Sequence, residues 1–316
     1  MKLHIVMYHY VRELASSRYP GIKGLDLDLF SRQIFFLKNN YNIISCEQLL
    51  DAVENGLDIP DNSALLTFDD GYIDHYINVL PILMEHKLTA LFSMPGKIIA
   101  EGKVLDVNKI HFILASASPT ILKEHVFSLL DKYRGLEYDY PENCELYQEL
   151  AVANRFDDAD IVFIKRLLQV RLDEQLRAVL TNKLFDEFVG IPECSFAKEL
   201  YMSMDQIKLM KKCGMHFGIH GYNHYWLNSL PVPIMENDIR MALDVFDGVI
   251  DKKRWIMCYP YGAYNDDVLS FISKKGCIVG VTTEVAVATE ANGLLTLPRL
   301  DANDYPPKSE NYMLIE

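Results

Sequence analysis

Wholly apolar segments alternate with amphipathic segments through the first hundred residues. Four short segments are apolar enough, and rich enough in β-branched residues, to be strands buried in a sheet: residues 3–11, 41–45, 64–68 and 89–96. The segments between them carry apolar residues at helical spacing: residues 27–40, 46–56 and 72–87. This alternation predicts a parallel sheet covered by helices.

Local signals mark where several of these helices begin and end. Asp26 is a candidate N-cap of the first helix, and Ser45 with Gln48 forms a capping box before the second. Gly56 is the expected end of the second helix. Pro81 lies inside the third helix, where it predicts a kink or the start of a second half.

Residues 101–200 follow a different pattern, with apolar residues at helical spacing from 163 to 188 and no buried strand signal. We therefore expect a mostly helical insertion, with its longest helical stretch in two pieces. Packing is its simplest role, and a lid or a dimer contact is the functional alternative. The strand–helix alternation resumes at residue 201, giving about seven units in all, which favours an α/β barrel over an open sheet.

Composition narrows the function classes. The chain has 316 residues, half of them hydrophobic, and 31 Lys and Arg against 44 Asp and Glu give a net charge of −13. Such a surface disfavours nucleic acid, because phosphate backbones are also negative. The six cysteines are scattered and predict buried thiols. The N-terminal segment suits a strand better than a signal peptide, and no segment suits a membrane span, so we expect a cytoplasmic protein.

Three polar clusters follow predicted strands, and in a parallel barrel the carboxyl ends of the strands share one rim. They are TFDDG at 67–71, GIHGYNH at 218–224 and CYPYG at 258–262. Taken alone, the two aspartates of the first cluster suit a turn, and two histidines four apart are a weak metal signal. Together, one aspartate and two imidazoles make a three-ligand set for Zn²⁺ or a similar ion, and the second aspartate could take a proton from water.

These clusters resemble the motifs of a known family, the polysaccharide deacetylases of carbohydrate esterase family four. TFDDGY is similar to its first motif, HGYNH to its histidine motif and YPYGAYN to its third, while YHYV at 8–11 and LPRL at 297–300 resemble the branch of bacterial poly-N-acetylglucosamine deacetylases. The resemblance spans residues 1–100 and 201–300. It implies an α/β fold, a distorted (β/α)7-type barrel, formed by residues 1–316 as one domain with the helical insertion at about 101–200.

The resemblance also implies residue roles. Asp69 would be the general base, and Asp70, His220 and His224 would bind a divalent metal, with zinc preferred over cobalt, nickel, manganese or iron. Tyr261 would donate its backbone N–H to the oxyanion. The implied reaction is hydrolysis of an N-acetyl group on a sugar or small glycoconjugate, in which Asp69 deprotonates a metal-bound water.

Two departures from the family pattern concern the arginine of the third motif and the late Leu-x-His motif. Cys258 stands about where that arginine falls, and Arg299 lies in the region of the absent late histidine. Arginine does not readily release a proton, so we expect Arg299 to orient Asp69, with a surface ion pair as the alternative. His9 ends the first predicted strand and could enter the rim, although a structural role is the default. The source of the proton for the departing amine therefore stays open.

Three functions remain in view. The first is the metal-dependent carbohydrate deacetylase, with an N-acetylated sugar as its partner and an oligomer contact possible through the insertion. The second keeps the metal hydrolase but acts on a cyclic imide or another non-sugar amide. The third is a non-catalytic carbohydrate-binding protein. This function is disfavoured because a binding protein does not need a base beside its metal. Several tyrosines and a tryptophan crowd the motifs, where they could pack or stack on sugar: Tyr72, Tyr222, Tyr225, Trp226, Tyr259 and Tyr264.

Overall fold

The computed structural model describes residues 2–136, 138–154 and 157–315. The chain divides into two compact units. The barrel unit contains residues 1–13, 24–103 and 197–316, and the helical unit contains residues 14–23 and 104–196. The larger segment of the helical unit, residues 104–196, lies within the range of about 101–200 predicted for the insertion, and the unit also includes residues 14–23.

Eleven strands lie in the described residues, all of them in the barrel unit. They are β1 (Lys2–Tyr8), β2 (Val11–Arg12), β3 (Leu25–Asp26), β4 (Asn42–Ile43), β5 (Ser63–Phe68), β6 (Leu91–Met94), β7 (His216–Ile219), β8 (Trp255–Cys258), β9 (Cys277–Val281), β10 (Ala288–Thr289) and β11 (Leu300–Asp301).

Thirteen α-helices lie in the same described ranges. They are α1 (Leu27–Asn40), α2 (Cys46–Asn55), α3 (Leu80–Glu85), α4 (Gly96–Ala100), α5 (Asp106–Ser116), α6 (Pro119–Tyr133), α7 (Asn143–Leu150), α8 (Ala159–Arg166), α9 (Glu174–Phe188), α10 (Glu193–Leu200), α11 (Met204–Lys212), α12 (Val232–Val245) and α13 (Asp266–Lys274). Two π-helical segments, His75–Val79 and Leu167–Arg171, adjoin α3 and α8.

The main sheet of the barrel unit closes on itself through seven parallel segments. Strands β1, β5, β6, β7, β8 and β9 pair in that order, each parallel to the next. The segment that leads into β11 completes the ring, because Leu297 bridges Val281 of β9 and Leu300 pairs with Val6 of β1. The predicted barrel is therefore confirmed, and it is distorted, since the closing segment makes only a few pairing contacts.

The barrel interior explains why the strands are apolar throughout. Every residue of β5, β6 and β8 is buried. Leu65, Leu91 and Ile256 belong to one hydrophobic core cluster with residues of β1 and β9. Burying such a side chain contributes about 1.5–3 kcal/mol, so the parallel strands are held by their contacts on both faces.

The predicted local signals and the observed boundaries largely agree. The side chain of Asp26 caps α1, and Ser45 with Gln48 forms the expected capping box. Pro81 lies in the first turn of α3, directly after the π-helical segment, so it begins the second half of the predicted helix. The first strand is shorter than the predicted 3–11, because β1 ends at Tyr8.

The helical unit carries no strand among its described residues. Its predicted long helix is split, as expected, since α8 ends at Arg166 and α9 begins at Glu174. Asp157 accepts ion pairs from both Lys165 and Lys23, which ties the short 14–23 segment to this unit. The lid and dimer roles stay predictions. No helix of the described ranges is long and apolar enough to cross a bilayer.

Candidate metal centre

The three predicted polar clusters all lie at carboxyl ends of barrel strands. Asp69 and Asp70 follow β5, the histidine cluster follows β7, and Cys258 is the last residue of β8. Because these strands are parallel, their carboxyl ends open onto one rim of the barrel. Residues almost 190 positions apart in the chain therefore share one site.

A tight turn after β5 directs the side chains of both adjacent aspartates into the site. Asp70 and Gly71 have left-handed backbone, with φ of 74° and 71°, and the aspartates are 1% and 2% exposed. The left-handed conformation at position 71 favours glycine, and a side chain there would also require the flexible ends of Met94 and Ile98 to move. The segment is therefore a turn, as its sequence suggests, but its two aspartates are buried in the site.

Asp70, His220 and His224 converge on a common point. The Oδ1 atom of Asp70 lies 3.4 Å from Nε2 of each histidine, and one donor atom from each of the three lies within 4.8 Å of the others. All three side chains are buried. One carboxylate oxygen and two imidazole nitrogens are a donor set that suits zinc and similar divalent ions.

Neighbouring groups leave one atom of His220 and one atom of Asp70 directed to that point. The Nδ1 of His220 donates to the carbonyl oxygen of Cys258 at 2.8 Å, which leaves Nε2 available to bind a cation. The hydroxyl of Tyr72 donates to Oδ2 of Asp70, which leaves Oδ1. Burial alone would raise the pKa of Asp70, but hydrogen bonds from the two imidazoles hold it well below its usual range. The donor set therefore fits a divalent cation.

Asp69 does not join this set and pairs with Arg299 instead. The Nη2 of Arg299 lies 2.8 Å from Oδ2 of Asp69, and Nη1 donates to Oδ1 at 3.1 Å. Burial would raise the pKa of Asp69, yet the charge of Arg299 lowers it below the usual range, with help from His220 and His9. Arg299 is 1% exposed, so the pair is a buried one and not a surface ion pair.

Cys258 touches both halves of the centre. Its thiol donates to Oδ1 of Asp69 at 3.3 Å, and its carbonyl accepts from His220. A second donor group, Asp69, His220 and Cys258, also meets within 4.8 Å. The guanidinium of Arg299 already neutralises Asp69 there, so the group containing Asp70 is the better cation site.

Tyr261 lies beside the histidine pair. Its backbone is left-handed, with φ of 58°. Its ring packs edge-on against His224 at 4.7 Å and stacks on Trp226 at 4.4 Å, with 4° between the planes. The structure thus brings every predicted site residue to one rim, the ligand set on one side and the pair of Asp69 with Arg299 on the other.

Two further residues of the centre carried no assigned role in the sequence. Tyr72 was visible only as one of several nearby aromatics. Asp238 lies on α12, where Met235, Ile239 and Ala242 form the buried face, and its carboxylate accepts hydrogen bonds from the histidine loop. A carboxylate on the apolar stripe of an amphipathic helix is the signal that could have identified it.

Comparisons with known proteins point to one class. Residues 150–279 match the family model described as polysaccharide deacetylase; that range contains both histidines and Tyr261 but neither aspartate. A putative polysaccharide deacetylase of Bacillus subtilis is 28% identical over 106 residues, which cover 34% of this chain and 38% of the relative. A poly-beta-1,6-N-acetyl-D-glucosamine N-deacetylase of Escherichia coli is 31% identical over 93 residues, covering 29% of this chain and 13% of the relative.

Solved structures agree on the fold. The Streptococcus pyogenes deacetylase PplD, in complex with acetate, superposes with a TM-score of 0.59 at 20% identity, covering 99% of this chain and 97% of that one. IcaB from Ammonifex degensii superposes with a TM-score of 0.58 at 17% identity, covering 99% and 95%. The comparisons confirm the resemblance to the polysaccharide deacetylases. The chain matches well under half the length of the curated relatives, so activity and substrate are matters for proposal.

Proposed function

We propose that this protein is a metal-dependent hydrolase that removes an N-acetyl group from a sugar or a small glycoconjugate. The observation that carries the proposal is the convergence of Asp70, His220 and His224 beside a second aspartate that is held by Arg299. A binding protein has no need of a paired, buried carboxylate next to its ligand set. The N-deacetylase activity named for the Escherichia coli relative supports a sugar N-acetyl group as the substrate class.

Asp70, His220 and His224 would hold the divalent ion, for which the mixed nitrogen and oxygen donors favour zinc. When bound, such an ion lowers the pKa of water and stabilises negative charge on a carbonyl oxygen. Cys258 and Tyr72 already occupy the remaining polar atoms of His220 and Asp70, so each of these two side chains would offer its other atom to the ion.

Asp69 would take the proton from the attacking water. Arg299 keeps this carboxylate ionised and contacts both of its oxygens. Asp69 is therefore in the form that can accept a proton from the attacking water. The water oxygen forms a bond to the acetyl carbon, and the C–N bond then breaks. The backbone N–H of Tyr261 would donate to the oxygen of the tetrahedral intermediate.

The departing amine needs a proton, and we propose His9 as its donor. His9 follows β1 at the same rim and is partly buried, and it is one of the groups that lower the pKa of Asp69. Its carbonyl accepts from His75, which anchors the backbone there. The proton that Asp69 took from water would then pass to His9, and the acetic acid would lose its own proton to solvent, so that the products are acetate and a free amine.

Acetate release and metal content test the proposal together. The purified protein, loaded with zinc, is assayed on N-acetylated mono- and oligosaccharides and on a cyclic imide, with and without a chelator. Chelator-sensitive acetate release from the sugars supports the proposal. Hydrolysis of the imide alone would favour the second substrate class over sugars. Failure to bind any divalent metal would contradict both enzyme hypotheses.

A further inference from the structure

The loop that carries both histidine ligands has a strained backbone. Gly221 and His224 are left-handed, with φ of 66° and 61°. For a residue with a side chain, such as His224, this conformation costs roughly 1–2 kcal/mol. The loop therefore needs contacts outside itself to keep the two imidazoles in place.

One buried carboxylate supplies such contacts. Oδ2 of Asp238 accepts from the backbone N–H of Tyr222 at 2.7 Å. Oδ1 accepts from the backbone N–H of Asn223 at 3.0 Å and from its side-chain amide at 2.8 Å. Asp238 is 2% exposed, so three charge-assisted bonds act on it with little competition from water.

We propose that Asp238 is a positioning residue that fixes the spacing of His220 and His224 for metal binding; this inference rests on the proposed function. Its bonds go to the two residues between Gly221 and His224, so the carboxylate acts on the ligands through the loop and not by touching the metal. Residues of this outer kind commonly contribute 10- to 100-fold to metal affinity.

The chemistry of the contact requires a carboxylate. All the groups that face Asp238 from the loop are N–H donors, and only an ionised carboxylate offers acceptors on both oxygens. An amide at position 238 would place its own N–H₂ against one of these donors. The packing is equally close, because a Cβ at position 221 would lie 3.0 Å from Oδ2 of Asp238.

The opposite edge of the loop is held by α4. The backbone N–H groups of Gly96 and Lys97 donate to the carbonyl oxygens of Gly221 and Tyr222, both at 3.0 Å. These are first-turn amides of α4, which have no partner within their own helix. The loop is thus held from both sides, by backbone amides of α4 and by the side chain of Asp238. Only the contacts of Asp238 can be removed by a single side-chain substitution.

Zinc affinity of the full-length protein tests this role. We expect Asp238→Asn to weaken zinc binding 10- to 100-fold, measured by competition with a chromophoric chelator, while far-UV circular dichroism of the metal-free protein is unchanged. The matched control is Asp244→Asn, which removes an exposed carboxylate from the same helix and should leave zinc affinity at the wild-type value. Cobalt-loaded Asp238→Asn should also show an altered visible spectrum, which a general loss of stability would not produce.

A second variant keeps the test decisive if Asp238→Asn does not fold. Asn223→Asp removes one donor and places a like charge beside Asp238 on a partly exposed loop residue, so we expect weaker zinc binding in the same direction. Wild-type zinc affinity in a folded Asp238→Asn or Asn223→Asp protein would overturn the role of Asp238 alone. Absence of zinc binding by the wild type would instead overturn the proposed metal centre.

Discussion

Arg299 holds both carboxylate oxygens of Asp69, with Nη2 at 2.8 Å from Oδ2 and Nη1 at 3.1 Å from Oδ1. The two residues are 230 positions apart, at the end of β5 and just before β11. The same arginine donates to the carbonyl of Thr282 at 2.7 Å. One buried ion pair thus joins the segment that closes the barrel to the proposed catalytic base.

Two substitutions of Arg299 should distinguish its contribution to stability from its contribution to the rate of acetate release. Arg299→Ala leaves Asp69 buried without its partner, which typically costs about 3–5 kcal/mol of unfolding free energy. Arg299→Lys keeps the charge but loses the two-pronged contact, so we expect at least a tenfold lower rate of acetate release with normal zinc content. Denaturant unfolding and the acetate assay measure the two effects. A wild-type rate in Arg299→Lys would show that Asp69 needs no such orientation.

Tyr72→Phe should weaken the metal centre specifically. The Tyr72 hydroxyl donates to Oδ2 of Asp70, and its loss frees the carboxylate to rotate, so we expect roughly 10- to 100-fold weaker zinc binding. Tyr8→Phe is the matched control, since Tyr8 is also buried and its hydroxyl has no hydrogen-bond partner among the described residues. Equal zinc affinities of the two variants would rule out the role given to Tyr72.

Substitutions at Cys258 and Arg299 should have non-additive effects on the free energy of unfolding. Cys258→Arg restores the residue usual in the third motif, but position 258 is fully buried and Arg299 already fills the space beside Asp69. We expect the single variant to lose several kcal/mol of stability, and the double variant Cys258→Arg/Arg299→Ala to recover part of it. Additive effects in the denaturant unfolding curves would mean that the two arginines do not compete for one place.

Stability should fall as the pH drops from 6.5 towards 4. Burial, and secondarily the charge of Lys2, lowers the pKa of His4 to about 4, and burial lowers that of His75 to about 4 as well. Both are neutral in the folded protein, so the unfolded chain binds more protons below pH 6.5 and the folded state loses stability there. We expect a loss of up to about 3 kcal/mol from His4.

His4→Gln tests that part of the pH dependence. The amide can still bond the hydroxyl of Tyr305, which lies 3.0 Å from Nδ1 of His4, but it does not titrate. Urea unfolding at pH 7 and pH 4.5 should show a smaller pH difference for the variant than for the wild type. Identical differences would exclude His4 as a source of the effect.

Much of the fold follows from patterns that act over short distances. The capping box at Ser45 and the wholly buried strand β5 are local features, and the structure places both as predicted. The end of β1 at Tyr8 is different, because pairing with β5 also ends there, at Tyr8 with Phe68. Strand ends of this kind depend on a partner that the local sequence does not contain.

Some features of the candidate site could likewise be predicted from the sequence, and others could not. That one of the two aspartates would meet His220 and His224 could be expected from the parallel barrel, because its strand ends share one rim. The choice of Asp70 over Asp69 follows only from the family resemblance. The bonds of Tyr72 to Asp70, and of Asp238 to the loop of Tyr222 and Asn223, could not be expected in either way. They depend on side-chain directions across the rim, which periodicity does not specify.

The division of labour between the adjacent aspartates is tested most directly by comparing Asp69→Asn with Asp70→Asn. Zinc content and the rate of acetate release from an N-acetylated sugar are measured on both, beside the wild type. We predict that Asp70→Asn loses zinc and activity together, while Asp69→Asn keeps zinc and is slower by about 10²–10⁴-fold. Retention of zinc by Asp70→Asn, or a wild-type rate in Asp69→Asn, would contradict the proposed centre.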